Sequence, residues 1–132
     1  MLSILTPLAP LSDIVLLIVR IIMGIVMIYY GYPKITNLRS NAENFVKMGF
    51  KPGMFWGTIV AFVEFFGGIA VIVGMYVWLA AALFGFEMIM GTIWKITKTE
   101  KPFTDWSYDL LLLAIALMLL ITGPGYYVLA GF

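Results

Sequence analysis

The sequence predicts an all-α integral membrane protein, a four-helix bundle with a short interfacial helix between its first and second spans. Of its 132 residues, 63% are hydrophobic and 11% are charged, and its mean hydropathy is +1.05. A soluble domain averages about 45–50% apolar and about 25% charged residues. Four apolar segments also approach the roughly 20 residues that a spanning helix needs. We therefore expect a single transmembrane domain over residues 1–132, with the lipid bilayer as its solvent.

Composition also limits the chemistry that this chain can perform by itself. It contains no cysteine and no histidine, which excludes disulfides, iron–sulfur ligation and the commonest neutral-pH general base. We therefore expect no metal site, no covalently bound cofactor and no self-contained catalytic centre, although the chain can still be a subunit of an enzyme. The net charge of +1 gives no basis for binding nucleic acid.

The first predicted span covers residues 11–32. Ser12 or Asp13 is placed to cap its start, because short side-chain oxygens accept hydrogen bonds from the free backbone N–H groups of a first turn. Residues 1–10 lack a basic leader, and prolines interrupt their apolar run. They predict an irregular arm and not a cleavable signal.

A polar connection follows, and it predicts a short interfacial helix over about residues 41–48. Ser40 and Glu43 have the spacing of a capping box, in which each side chain satisfies a free N–H group of the first turn. Gly49 fits the stop of this helix. An amphipathic helix lying on the membrane surface and a plain polar loop explain these residues equally well.

The other three spans are predicted over residues 52–74, 76–96 and 106–122. Only Gly74 and Met75 are available for the turn between the second and third spans, so these helices must be antiparallel neighbours. The fourth span should end at the Gly-Pro-Gly of residues 123–125, because proline cannot continue a helix and glycine permits a turn. We expect the tail beyond it to lie at the interface or against the bundle.

Basic residues flank two of the three connections between spans. They are Lys34, Arg39, Lys47 and Lys51 at the first connection, and Lys95, Lys98 and Lys101 at the third. Lysine and arginine are enriched on the cytoplasmic side of membrane proteins. We therefore expect a multi-pass protein of the cell membrane, with both basic connections in the cytoplasm and both termini outside.

Three ionisable residues, Arg20, Glu64 and Glu87, fall inside the apolar spans and near their middle, since a helix rises ~1.5 Å per residue. A charge at the bilayer centre costs about 2.5–3.5 kcal/mol on insertion scales. We therefore predict one buried cluster in which Arg20 forms ion pairs with one or both glutamates. Because the cluster has one excess carboxylate, one of the two should hold a proton. Such a cluster serves either proton-linked chemistry or only helix register.

Two further polar positions have weaker patterns. Tyr30 and Lys34 end the first span, where an aromatic belt followed by a snorkelling lysine is the ordinary interpretation and the mouth of a polar site is the functional one. Asp109 begins the fourth span, where it suits the positive end of the helix dipole.

Three stretches carry a recognisable pattern: VRIIMGIVMIYYGYPKI of residues 19–35, VEFFGGIAVIVGM of residues 63–75, and GPG of residues 123–125. By these motifs the chain resembles, along nearly its whole length, the DoxX/DoxD-like family of small four-helix membrane proteins. The positions that match the family motifs are Arg20, Gly24, Gly31, Lys34, Glu64, Gly67 and Gly68. Many members carry a histidine just before the second of these glycines, where this chain has Tyr30.

The resemblance implies an accessory membrane subunit of a quinone-linked oxidoreductase, whose partners carry the electrons. Arg20 and Glu64 would then lie at a site for a quinone head group or a proton relay. Glu87 joins this site because it is the third ionisable residue near the middle of the spans, and Tyr30 and Lys34 would lie at its mouth. Other membrane or peripheral redox subunits, or further copies of the chain, are the expected partners. The residues leave two other functions open, a small proton-coupled carrier or channel and a purely structural membrane anchor or assembly subunit.

Overall fold

The computed structural model describes residues 11–98 and 102–129, and their regular structure is helical throughout. The helices are α1 (Ser12–Thr36), α2 (Leu38–Lys47), α3 (Gly53–Val73), α4 (Val77–Thr97) and α5 (Phe103–Thr122). Helices α1, α3, α4 and α5 are each long and apolar enough to cross a membrane, and the short α2 stands between the first two. The predicted fold class is therefore confirmed. The predicted arm over residues 1–10 and Lys101 lie outside the described residues.

The helix caps differ from those that the sequence predicts. Helix α1 begins after Leu11, whose apolar side chain cannot cap it, and Asp13 accepts a hydrogen bond of 3.0 Å from the backbone N–H of Tyr126. Helix α2 is capped by Asn37, whose side chain accepts from the backbone N–H of Ser40 at 3.4 Å. The predicted caps, Ser12 or Asp13 for α1 and Ser40 for α2, were therefore wrong. Leu11 occupies the cap position of α1, and Asn37 occupies that of α2.

Helices α1 and α3 form the closest pair in the bundle, and glycines make this approach feasible. A Cβ atom added at Gly24 would lie 2.6 Å from the carbonyl oxygen of Gly68, and one added at Gly31 would lie 2.7 Å from the backbone nitrogen of Phe65. Small residues of this kind let transmembrane helices pack backbone against backbone. The contact places the middle of α3 directly beside the last third of α1.

Helices α4 and α5 form a second pair, and the two pairs meet chiefly through α3 and α4. Between the pairs lies an apolar core of Met23, Met27, Val71, Val77, Ala80, Ala81, Phe84, Met88, Leu112, Ala116 and Leu119. By contrast, α1 and α5 approach each other at only a few positions. The bundle is therefore tightly closed on three sides and more loosely closed between α1 and α5.

Helix α2 is attached to the bundle by side-chain hydrogen bonds. The buried amide of Asn41 donates to the carbonyl oxygen of Gly57 at 2.8 Å, and the indole N–H of Trp94 donates to that of Met48 at 3.0 Å. These contacts favour the predicted helix over a plain loop. We call this side of the molecule the α2 end.

The opposite side, which we call the tail end, holds the start of α1, the turn from α3 to α4 and residues 123–129. Helix α5 stops before Gly123, which has a φ of +80° that favours glycine. The chain then folds back, and the backbone N–H of Leu129 donates to the carbonyl of Val73 at 2.8 Å. The prediction that the tail packs against the bundle is confirmed up to this point, and residues 130–132 lie outside the described residues.

The outward faces of the long helices expose large apolar side chains. Examples are Ile25, Phe86, Leu111 and Ile121, which are 57%, 65%, 67% and 84% exposed. Water would disfavour so much apolar surface, whereas lipid does not. Together with the length and composition of the four helices, these faces identify a multi-pass membrane protein.

The glycine contact between α1 and α3 can be tested by adding one methyl group. Gly31→Ala forces a Cβ atom against the backbone of α3, whereas at Gly85 a Cβ would meet Leu113 at an ordinary 3.7 Å. Both changes improve helix propensity equally, so their difference reports the clash. We expect Gly31→Ala to be less stable than Gly85→Ala by roughly 1–3 kcal/mol. Thermal unfolding in detergent checks this, and equal melting temperatures would contradict it.

Candidate functional site

Five titratable side chains gather inside the α2-end half of the bundle, and we call them the polar layer. They are Lys34 from α1, Glu64 from α3, Glu87 and Lys95 from α4, and Asp109 from α5. All four long helices therefore contribute to one site. Four of its members form two ion pairs, and the fifth is an additional carboxyl group.

The first ion pair joins Lys34 to Glu64. The lysine Nζ hydrogen-bonds to both carboxylate oxygens, at 3.0 Å for Oε2, and the Glu64 side chain is only 4% exposed. The close approach at Gly31 brings α1 against α3 one turn before the lysine, which fixes this pairing. Lys34 thus belongs to the polar layer itself and does not merely stand at its mouth.

The second ion pair joins Lys95 to Asp109, whose Oδ2 atom lies 2.9 Å from the lysine Nζ. Lys95 also hydrogen-bonds to the hydroxyl of Tyr108 at 3.1 Å, and its Nζ lies 4.6 Å from the centre of that ring. Helix α5 begins at Phe103, so Asp109 lies in the second turn and is buried. The prediction that Asp109 sits at the helix start was wrong, because α5 begins three residues earlier than its apolar pattern suggests.

Glu87 is the carboxyl group that remains after the two pairs are formed. Both of its carboxylate oxygens are buried without a hydrogen-bond partner, as is the hydroxyl of Thr92 further along α4. The charges of Glu64, Lys34 and Asp109 are near enough to act on it. With two lysines and three acidic groups, the polar layer is electrically neutral when one carboxyl group carries a proton, and Glu87 is the carboxyl group of the layer that has no lysine partner.

Arg20 lies outside the polar layer. Its guanidinium donates to four backbone carbonyls, those of Val71 at 2.9 Å, Ile72 at 3.1 Å, Pro124 at 3.0 Å and Tyr127 at 2.6 Å. The predicted ion pairs between Arg20 and the glutamates were therefore wrong. Seven residues of α3 separate Glu64 from Val71, a rise of about 10 Å.

The position of Arg20 follows from the end of α3. The last carbonyls of a helix have no N–H partner within the helix, and they carry the negative end of its dipole. A guanidinium has five donors and can satisfy several carbonyls at once. Fully buried Arg20 therefore joins α1, the end of α3 and the tail into one hydrogen-bonded unit.

Tyr30 lies at the opening between α1 and α5. Its ring stacks on that of Tyr108, with centroids 6.0 Å apart and planes inclined by 18°. The sequence patterns did not indicate Tyr108, Lys95 or Asp109 as parts of the site. The available signal was that Lys34 and Lys95 both lie at a helix end, where a long side chain can reach back along the helix towards an acidic group.

The oxygens of Glu87 and Thr92 are buried polar atoms of this region without a hydrogen-bond partner. Among residues 11–98 and 102–129, no three acidic side chains are grouped so that they could hold a metal.

Comparisons with known proteins give a consistent family. The sequence model of the DoxX family matches residues 15–97, which include Arg20 and four members of the polar layer. A protein of Bacillus subtilis (strain 168) named "Putative oxidoreductase CatD" is 27% identical over 117 residues, covering 88% of this chain and 84% of the relative. No solved structure matches the chain.

The role of Arg20 can be tested by removing its donors. Arg20→Ala leaves four carbonyl groups without their charged partner, so we expect a loss of roughly 3 kcal/mol or more in unfolding free energy. We also expect proteases to cleave the tail after residue 122 faster. The control is Arg39→Ala, whose side chain is 91% exposed. Equal stability of the two variants would contradict the assignment.

Proposed function

Because the chain belongs to the DoxX family, we propose that it is a membrane subunit of a quinone-linked oxidoreductase. The relative whose name contains "oxidoreductase" supports the redox class. Without cysteine or histidine, this chain lacks the usual ligands of electron carriers, so partner subunits would carry the electrons. The chain would supply the polar layer, in which a quinone head group is bound or its protons are relayed.

The observation that carries the proposal is the unpartnered carboxyl group of Glu87. A buried polar group normally has a hydrogen-bond partner, and exceptions often mark functional positions. In the membrane interior an ionisable group is costly, and such groups commonly mark proton or substrate pathways. Glu87 lies beside two complete ion pairs, so it is the one carboxyl group of the layer that can exchange a proton without breaking a pair.

The residues of the layer fit a quinone head group. Glu87 and Thr92 present buried oxygens that lack partners, and a protonated carboxyl or a hydroxyl can donate to a quinone oxygen. When bound, a quinone supplies two-electron chemistry that is coupled to the uptake or release of two protons. The chain's own contribution would be to orient the head group and to hold one proton at a Glu87 carboxylate oxygen.

Protons would exchange with the layer from the α2 end. The side chains of Lys34 and Lys95 are 32% and 21% exposed, and each hydrogen-bonds to an acidic member of the layer. Towards the tail end, the apolar core and Arg20 with its bound carbonyls lie between the polar layer and the opposite side of the bundle. This arrangement supports an exchange of protons with one side of the membrane only.

The orientation of the protein belongs to the same proposal. The α2 end carries the basic side chains Arg39, Lys47, Lys51 and Lys98, so we place it in the cytoplasm and the tail end outside. A peripheral redox partner would then bind at the cytoplasmic side, close to the polar layer.

Glu87→Gln tests the proton-holding role, because it keeps the shape of the side chain and removes its titratable proton. In the complex isolated from native membranes, we expect turnover with a short-chain benzoquinone to fall at least about 100-fold, as for other groups that transfer protons. The control is Glu43→Gln, whose side chain is 66% exposed on α2.

The same experiment separates the proposal from a purely structural role. If Glu87→Gln lowers only the amount of assembled complex and leaves its turnover unchanged, the chain is an anchor or assembly subunit. Isolation of the native protein with neither quinone nor redox partners would likewise count against the proposal.

Glu87 equally suits a proton-coupled carrier or channel, which is the second candidate. The two differ in whether protons cross the bilayer. In liposomes holding a pH-sensitive dye, we expect the purified chain to give the same proton flux as empty vesicles, because the apolar core closes the path to the tail end. Flux above that background, and altered by Glu64→Gln, would favour the carrier.

A further inference from the structure

The opening between α1 and α5 is the most loosely packed contact in the bundle. The two helices approach each other at only a few positions, whereas α1 lies backbone to backbone against α3. We call this opening the α1–α5 seam. Near the polar layer, side chains from the two helices meet across the seam.

Two tyrosines close the α1–α5 seam at this level. Tyr30 from α1 and Tyr108 from α5 stack at 6.0 Å, and they are 44% and 39% exposed. A stacked pair of this kind is worth only a small free energy beyond the burial of its area. Opening the pair therefore costs much less free energy than separating α1 from α3.

The tyrosine pair is connected to the polar layer behind it. The Tyr108 hydroxyl lies 3.1 Å from the Nζ atom of Lys95, which in turn lies 2.9 Å from Asp109. The same Nζ atom also lies 4.6 Å from the centre of the Tyr108 ring, within the range of a cation–π contact. A displacement of Tyr108 would therefore release one partner of Lys95 directly beside the site.

A groove of about 440 Å³ lies on α1 beside Tyr30. It is lined by Ile28, Tyr29, Tyr30, Tyr32 and Pro33. Its walls are mostly apolar and aromatic, so it suits a molecule that has an apolar body and a flat ring. Tyr30 thus belongs to both the groove and the tyrosine pair, and Tyr108 of that pair is hydrogen-bonded to Lys95 of the polar layer.

We propose that the α1–α5 seam is a lateral entrance through which a lipid-soluble molecule with a planar ring head passes from the membrane to the polar layer, with Tyr30 and Tyr108 as its gate. A flat ring can replace each tyrosine as the stacking partner of the other, so the gate opens without leaving an aromatic face unpaired. The inference rests on the proposed function only in treating the polar layer as the destination of that molecule.

The test uses a single thiol placed behind the gate. The chain has no cysteine, and a Cβ atom at Gly91 would meet Asp109 Oδ2 at an ordinary 3.9 Å, so Gly91→Cys gives one reactive group beside the layer. The probe is N-phenylmaleimide, which is flat and lipid-soluble, and its labelling rate is measured in liposomes. In this background we expect Tyr30→Ala and Tyr108→Ala each to raise the rate about two- to tenfold, the range implied by one lost aromatic pair.

Three controls make the result specific. Tyr30→Phe keeps the stack and should label at the parent rate, as should Tyr126→Ala, which removes a 78% exposed ring at the tail end. Labelling by a maleimide that carries a trimethylammonium group should not change, because the entrance opens to lipid. If Tyr30→Ala loses its helical circular dichroism, Tyr30→Leu replaces it, since leucine keeps apolar bulk without a ring.

The proposal is overturned if neither gate variant raises the rate, if Tyr126→Ala raises it equally, or if the labelling by the charged maleimide is accelerated to the same degree. Labelling needs no redox partner and no turnover. A failed turnover assay on Glu87→Gln would therefore leave this result standing, and a closed seam would leave the redox proposal standing.

Discussion

A charge inside a bilayer has to be neutralised by the protein that carries it, and this constraint explains where the polar residues of the bundle lie. With no water at hand, every donor and acceptor needs a protein partner, or the group must give up its charge. The chain uses two solutions. Arg20 is surrounded by backbone carbonyls, whereas Glu64 and Asp109 are each matched by a lysine from a different helix end.

These two solutions divide the bundle into halves of different character. At the tail end, Arg20 satisfies carbonyls that the end of α3 and the tail would otherwise leave unpaired, so its charge becomes part of the fold. At the α2 end, the ion pairs leave Glu87 as a carboxyl group with no protein partner. Glu87 can therefore gain or lose a proton without breaking an ion pair, whereas Arg20 cannot lose its charge without leaving those carbonyls unpaired. For that reason the proposed proton chemistry is assigned to the α2 end.

The two sides of α1 are packed in different ways. Between helices in lipid there is little hydrophobic driving force, so close packing has to come from shape, and Gly24 and Gly31 supply it on the side of α3. On the side of α5 the same helix contributes Tyr30, whose ring stacks on that of Tyr108 where the two helices approach each other at only a few positions. One helix thus packs closely on one face and makes a looser contact through side chains on the other.

The sequence by itself determined the membrane class, the four spans and the stop at Gly123, because hydropathy, length and glycine–proline chemistry act locally, whereas it left a short helix and a plain loop equally open between the first two spans. It also identified Arg20, Glu64 and Glu87 as buried polar groups. Which of them meet was decided only by tertiary structure: the close contact at Gly31 delivers Lys34 to Glu64, and the returning tail, with the end of α3, claims Arg20. Partners of this kind are brought together by helix packing and by the reversal of the chain after α5. Neither can be derived from the spacing of residues along the sequence.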